Sequence, residues 1–248
     1  TEVAATVPCA LFGALFAQSV VQCAVARARP AKGRVAEAAA WPCAGVQALT
    51  LLYYVVERSD AACLLTAPPF LSDTSGVTAR PLHLVLWTCS VSAQVLAIYS
   101  VERELSARMP RPPSSNARRD CCAALVAVQV MCWCSALLDA RAPGATSYGL
   151  ALAALSCAAF YALLAKGVRG PLARGAAAAR RGKDERIAAQ LERAAVFFTV
   201  AWHGFPLVWG AGVLGAVGDA RVRLGYVLCD VVAKFLPASI YVSLAVDP

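Results

Sequence analysis

Charge is what this sequence has least of. Only 15% of its 248 residues are Asp, Glu, Lys or Arg, against 59% hydrophobic, and the mean hydropathy is +0.60. That balance excludes an ordinary soluble domain, which has no use for so much apolar surface. Histidine is scarcer still: there are two, with no nucleophile elbow and no metal-ligand spacing, so the sequence does not support an enzyme or a metal site. The eleven cysteines form no metal pattern either. Ten sit in or at apolar segments, where a thiol packs as a small hydrophobe. Cys63, in a polar connection, is placed for a disulfide, with Cys9 as its expected partner in an oxidising compartment.

What is present is a series of apolar runs of membrane-spanning length, at about 3–26, 37–57, 81–102, 118–139, 146–168, 194–217 and 222–246; a helix needs roughly 20 residues to cross a bilayer. The expected fold is therefore an all-α membrane protein, a seven-transmembrane-helix bundle forming one domain over 1–248. The first run is too long for a signal peptide and has no basic leader, so no cleavage is expected.

Seventeen of the 23 basic residues fall in the first, third and fifth connections, which predicts those loops on the inside, the N-terminus outside and the C-terminus inside. This bias accounts for the net charge of +8, so no nucleic-acid partner is inferred. The fifth connection, VRGPLARGAAAARRGKDERIAAQLER, reads as a solvated Gly/Ala/Arg-rich loop whose end begins the sixth helix.

The last run, GYVLCDVVAKFLPASIYVSL, carries Asp230 and Lys234 in its middle. An ionised side chain there costs a few kcal/mol unless paired or functional, and four residues apart the two share one helix face. A desolvated lysine beside one acid suits a Schiff base with an aldehyde; a structural ion pair is the alternative reading of these two residues. Pro237 is expected to kink the same helix.

In the sixth run, FFTVAWHGFPLVWGAG aligns Trp202, Phe205 and Trp209 along one face, with Pro206 at a bend. Elsewhere polar groups are few. The first run presents Gln18, Ser19 and Gln22, and the second Gln47 and Thr50 with no central carboxylate. The third has His83, Trp87, Thr88, Cys89, Ser90 and Gln94, with no Asp or Glu between Arg80 and Glu102. Such groups face other helices or a water-filled path rather than lipid.

Together the last two runs resemble the microbial (type 1) rhodopsins. Trp202, Phe205, Pro206 and Trp209 match W-x-x-[YF]-P-x-x-W, and Asp230 and Lys234 match D-x-x-x-K, in the family's order. The resemblance implies all-trans-retinal held as a protonated Schiff base on Lys234, with Asp230 as counter-ion and the aromatic rings clamping the polyene. Within the family the chain is most similar to channelrhodopsins of the cryptophyte anion-channel type. Thr88 and Cys89 match the T-C of T-C-P, with Ser90 in place of the proline, and Tyr226 matches a tyrosine one turn before the counter-ion. The third helix departs from the pattern: counted from Thr88 its usual counter-ion position is Leu84, and counted from Arg80 it is His83. The resemblance also places Cys89 against the polyene, so that Cys89→Ala would keep the pigment and slow channel closing.

The missing helix-three acids argue against steady outward proton pumping. A path lined by Gln18, Ser19, Gln22, Gln47 and Thr50, near Arg80 and Lys234, favours anions. The sequence thus reads as a light-gated channel passing chloride or other small anions in the lipid bilayer of the plasma membrane, with a homodimer among the assemblies open to it. A light-driven anion pump, a light-gated cation channel, a sensory rhodopsin and, outside the family, a seven-helix receptor without retinal remain as alternatives. Lys234→Ala should abolish visible absorbance and leave a folded membrane protein; a pigment band that survives in that variant would exclude Lys234 as the attachment point.

Overall fold

The computed structural model describes residues 10, 13, 14, 16–18, 20, 21, 24, 33–58, 81–107, 116–139, 147–214, 216–218, 221, 222 and 224–234. All regular structure among them is helical. The helical residues between 10 and 24 are α1, followed by α2 (Gly33–Arg58), α3 (Pro81–Ala107) and α4 (Asn116–Asp139). Then come α5, running without a break from 147 to 181, α6 (Glu185–Val213) and α7 (221–234, helical at every described position). Arg80, Ser19, Gln22, Cys9, Cys63 and Pro237 lie outside the described residues.

The burial pattern is that of a bundle in lipid rather than in water. Large apolar side chains point outward, among them Val126, Leu150, Val196, Val200 and Leu207, each more than 60% exposed. The interior holds Gln47, Thr50, Ser90, Gln94, Glu102, Ser156, Asp230 and Lys234. An apolar surface of this extent belongs against hydrocarbon, and polar groups in such a bundle turn inward to one another. Among the described residues, two helices, Gly149–Arg181 and Glu185–Gly212, are long and apolar enough to cross a membrane by length and composition.

Small residues set the closest helix contacts. A Cβ on Gly167 of α5 would lie 3.1 Å from Ala124 of α4 and 3.2 Å from Val95 of α3, so three helices meet at that glycine. Between α6 and α7 a Cβ on Gly204 would approach the Cys229 sulfur to 2.8 Å. Cys229 is therefore a packing cysteine whose neighbour must be glycine.

The fifth connection differs from the sequence expectation. It is a helical hairpin: α5 continues to Arg181, the chain turns through Gly182, Lys183 (φ 63°) and Asp184, and α6 begins at Glu185 with the Asp184 carboxylate accepting from the Ile187 N–H at 3.1 Å. Alanine has the highest helix propensity, and Leu172, Ala176, Ala178 and Ala179 bury themselves in the same core cluster as Ala188, Leu191 and Ala194. Composition read as a linker is here an interface. The 33 residues of Gly149–Arg181 span about 50 Å at 1.5 Å per residue, longer than the ~30 Å hydrocarbon core of a bilayer.

A π-helical segment, Leu164–Arg169, lies within α5, with the Gly170 N–H bonded back to the Ala165 carbonyl five residues earlier. Pro171 follows at once; it can donate no hydrogen bond and its ring crowds the carbonyl four residues back, which is where a helix admits a wider turn. Here α5 is tied to α3 and α4. Arg174 grips Glu102 bidentately (Nε–Oε1 2.5 Å, Nη2–Oε2 3.1 Å) and reaches Asp120 at 3.2 Å, Lys166 meets Asp120 at 2.9 Å, and the Tyr99 hydroxyl donates to the Lys166 carbonyl at 2.8 Å.

Packing at Gly204 gives a direct test. Gly204→Ala should lower stability by about 1–3 kcal/mol through overpacking, and Cys229→Ala in the same chain should restore most of it; thermal unfolding in detergent measures both, and no recovery in the double variant would show that α6 and α7 do not meet there.

Candidate functional site

The centre of the bundle is a cavity bounded by α3 to α7. Its walls are Trp87, Val91 and Gln94 of α3, Met131, Cys132 and Ser135 of α4, and Ser156, Cys157, Phe160, Tyr161 and Leu163 of α5. Trp202, Phe205, Pro206 and Trp209 of α6 and Asp230, Ala233 and Lys234 of α7 complete it. The cavity has a volume of about 110 Å³ and opens to the outside on one side. Pro206 removes one helix donor, and Trp202, Phe205 and Trp209, spaced three and four residues apart, present one aromatic face to the cavity.

Lys234 and Asp230 sit in the wall, 3% and 0% exposed. Lys234 Nζ lies 2.7 Å from Asp230 Oδ1, a charge contact without the alignment of a hydrogen bond, so the amine keeps donors unused. The other carboxylate oxygen is held from α2, whose Tyr54 hydroxyl donates to Oδ2 at 3.0 Å. From the same face of α2, Gln47 Nε2 donates to the backbone carbonyl of Lys234 at 2.9 Å. Because α2 and α7 run antiparallel, 47 pairs with 234 and 54 with 230.

A second layer fixes the aromatic wall. Trp87 meets Phe205 edge to face at 5.2 Å and Tyr226 at 5.1 Å, which joins α3, α6 and α7. Phe198 backs Trp202 at 5.8 Å, and the hydroxyls of Ser135 and Ser156 share a hydrogen bond at 3.0 Å between α4 and α5.

Most of the sequence candidates therefore converge. Lys234, Asp230, Trp202, Phe205, Pro206, Trp209 and Trp87 line one cavity, and Tyr226 is buried behind Trp87 rather than in the wall. Thr88 and Cys89 do not join them. Thr88 is turned towards Cys132 of α4, and Cys89 is exposed, which corrects the expectation that Cys89 lies against the polyene. The reason is helical register: with Trp87, Val91 and Gln94 facing inward, a residue two positions past Trp87 is rotated about 200° away.

Among the path candidates, Gln47 and Thr50 are buried, whereas Gln18 is exposed because α1 turns Phe16 towards Ala44 of α2. Thr50 donates its hydroxyl to the Val46 carbonyl of its own helix at 2.8 Å. His83 lies in the first turn of α3; its side chain is not described.

Sequence reasoning missed Tyr54, the second partner of Asp230, although its spacing from Gln47 and Thr50 marks one helix face. It also missed the walls from α4 and α5, whose residues are small or apolar and carry no chemical signal of their own. The Oε1 of Gln94 and the Oγ of Ser90 are buried without a partner. Among the described residues no group of three His, Cys, Asp or Glu could hold a metal ion.

No family model and no curated protein matches this chain. Solved structures do. A bromide-bound halorhodopsin from Halobacterium salinarum superposes with a TM-score of 0.70 at 20% identity, covering 97% of this chain and 91% of that one. Another structure, described as halorhodopsin, a light-driven chloride pump, gives 0.68 at 21% identity over 97% and 92%. Thermophilic rhodopsin from Rubrobacter xylanophilus gives 0.74 at 16% identity over 98% and 95%. The chain thus has the seven-helix fold of the microbial rhodopsins.

The charge pair can be tested without any ligand. Asp230→Ala leaves the Lys234 amine buried with no carboxylate and should destabilise by about 3–5 kcal/mol, whereas Tyr54→Phe removes one hydrogen bond to that carboxylate and should cost about 1.5–3 kcal/mol. Thermal unfolding of the retinal-free protein should rank them in that order; equal losses would mean that Asp230 is held by Tyr54 rather than by Lys234.

Proposed function

We propose that this chain is a retinal-binding photoreceptor of the microbial rhodopsin type, with Lys234 as the point of attachment and Asp230 as counter-ion. The observation that carries this reading is a buried amine with unused donors, set beside one carboxylate in the wall of an aromatic cavity. The cavity fits the group, since its walls are largely aromatic and aliphatic and offer little to a polar ligand away from the pair. Bound there, retinal would supply visible absorption and a light-driven change of shape. Trp202, Phe205 and Trp209 would restrict the polyene to one path through the cavity, Asp230 would stabilise positive charge at the nitrogen, and Tyr54 would keep the carboxylate turned towards it.

We further propose that its output is passive conduction of chloride or another small anion. Proton pumping lacks support because α3 has no acid between Pro81 and Glu102 to accept or return a proton. The polar groups on the inward face of α2, Gln47 above all, carry no negative charge that would draw cations. A light-driven anion pump is the second reading, favoured by the likeness to a structure described as a light-driven chloride pump. Integral placement in the plasma membrane, with the N-terminus outside and the basic hairpin inside, follows the positive-inside bias.

Whole-cell recording under illumination separates these readings. A channel should give a photocurrent whose reversal potential follows the chloride gradient by about 59 mV per tenfold change, whereas a pump gives outward or inward current of one sign with no gradient applied. Visible pigment without any photocurrent would leave a sensory photoreceptor.

A further inference from the structure

We propose that Gln47 is a latch between α2 and the backbone of the attachment lysine, closed in the resting protein and released when Lys234 is displaced by light; the inference rests on Lys234 holding the chromophore and on the channel reading above. The geometry has three parts. First, Gln47 does not touch the lysine amine, which is already engaged by Asp230 within α7, but the Lys234 carbonyl, at 2.9 Å. A contact to main chain senses movement of the helix itself, whereas the amine can swing on its four-carbon stem without reporting to α2. Second, both residues are almost wholly buried, Gln47 at 1% and Lys234 at 3%, so no water competes for the bond and its breaking is felt in full.

Third, the carboxamide is held by this bond alone. Gln47 Oε1 is buried with no partner, which is unfavourable, and exchanging its oxygen and nitrogen would set oxygen against the Lys234 carbonyl. The resting orientation is thus fixed by a single acceptor, and once that acceptor moves nothing retains the side chain. Two turns along α2, Tyr54 holds Asp230. Between them Thr50 turns its hydroxyl into its own helix, so among the described residues the inward face of α2 spends the hydroxyls of Thr50 and Tyr54 and the amide of Gln47 on protein acceptors. Release of Gln47 opens the seam between α2 and α7 and presents its N–H groups, the donors an anion needs in place of water.

The test uses the full chain labelled with lysine carrying ¹³C at the carbonyl. There are four lysines in the sequence, Lys32, Lys166, Lys183 and Lys234, and Lys234 is assigned by difference with Lys234→Arg. In the dark, Gln47→Leu should move the Lys234 carbonyl band to higher frequency, with and without retinal. Light should move the same band upward in wild type and leave it unmoved in the variant. Gln47→Leu should still form pigment, show a standing dark anion conductance, and close after a light pulse about three- to tenfold more slowly, the rate equivalent of one net hydrogen bond.

A Lys234 carbonyl band at the same dark frequency in wild type and Gln47→Leu would overturn the latch, as would a shifted band with wild-type closing and no dark conductance. Should Gln47→Leu fail to fold, Gln47→Asn, which keeps the amide but is too short to reach, must show the same band shift. The retinal-free infrared comparison decides the bond even if wild type forms no pigment, so failure of the retinal reading and failure of the latch give different results. A wild-type pigment that pumps chloride with no gradient would refute the channel reading and, with it, the gating role of Gln47, while the dark band shift would remain.

Discussion

The contact between Lys234 and Asp230 is the constraint around which the rest of the bundle is arranged. Two ionisable groups at the middle of a membrane helix are unfavourable unless each has a partner, and the pair alone satisfies only one carboxylate oxygen and none of the amine's hydrogen-bond directions well. The second oxygen requires a donor from another helix, and Tyr54 supplies it. This requirement fixes the register of α2 against α7. With Tyr54 opposite Asp230, antiparallel geometry brings residue 47 opposite residue 234, and the hydrogen bond found there follows from the same register. The buried polar face of α2, which looks unfavourable in hydrocarbon when taken alone, is thus the complement of the charge in α7.

The aromatic wall depends on the pair in a different way. A cavity in a membrane protein is under no hydrophobic pressure to stay open or to close, because lipid is as apolar as its lining. Rigid rings braced by second rings hold the space: Trp87 against Phe205 and Tyr226, and Phe198 against Trp202. A lysine amine with unused donors in the wall of that space is chemically different from one sealed by packing. In the sequence, a structural ion pair and a reactive lysine are equally good accounts of D-x-x-x-K; the cavity beside the pair is the observation on which the proposed attachment at Lys234 rests.

The strongest sequence signals survive because they are local to one helix. Asp230 and Lys234 share a face by spacing alone, as do Trp202, Phe205 and Trp209, and all five line the cavity. What depends on how two helices are rotated against each other was not legible. Thr88 and Cys89 adjoin Trp87 in sequence, yet one residue of register turns a helix by 100°, and only Trp87 faces inward. Tyr54 shows the converse, an aromatic residue that reads as packing until the partner 176 positions away is known. The fifth connection failed for a compositional reason, since alanine, glycine and arginine serve a solvated linker and a tightly packed helical hairpin alike, and burial of Ala176, Ala178 and Ala179 appears only when α6 lies against them.

The distribution of fastenings around the cavity determines which wall can move. On one side α5 contributes Ser156 through Leu163 to the cavity, and within three residues its π segment enters a network in which Arg174 and Lys166 bind Glu102 and Asp120 on α3 and α4. Ion pairs with bidentate geometry, one of them to a carboxylate that is 3% exposed, resist separation because each released charge would stand alone at low dielectric. On the other side, among the described residues, α2 reaches α7 through the hydrogen bonds of Tyr54 to Asp230 and of Gln47 to the Lys234 carbonyl, the first to a charged group and the second to a neutral one. A neutral hydrogen bond contributes about half as much as one to an ionised group. Among these described fastenings, strain generated inside the cavity therefore meets less resistance at the two α2–α7 bonds than at α5, and of those two it meets less at Gln47.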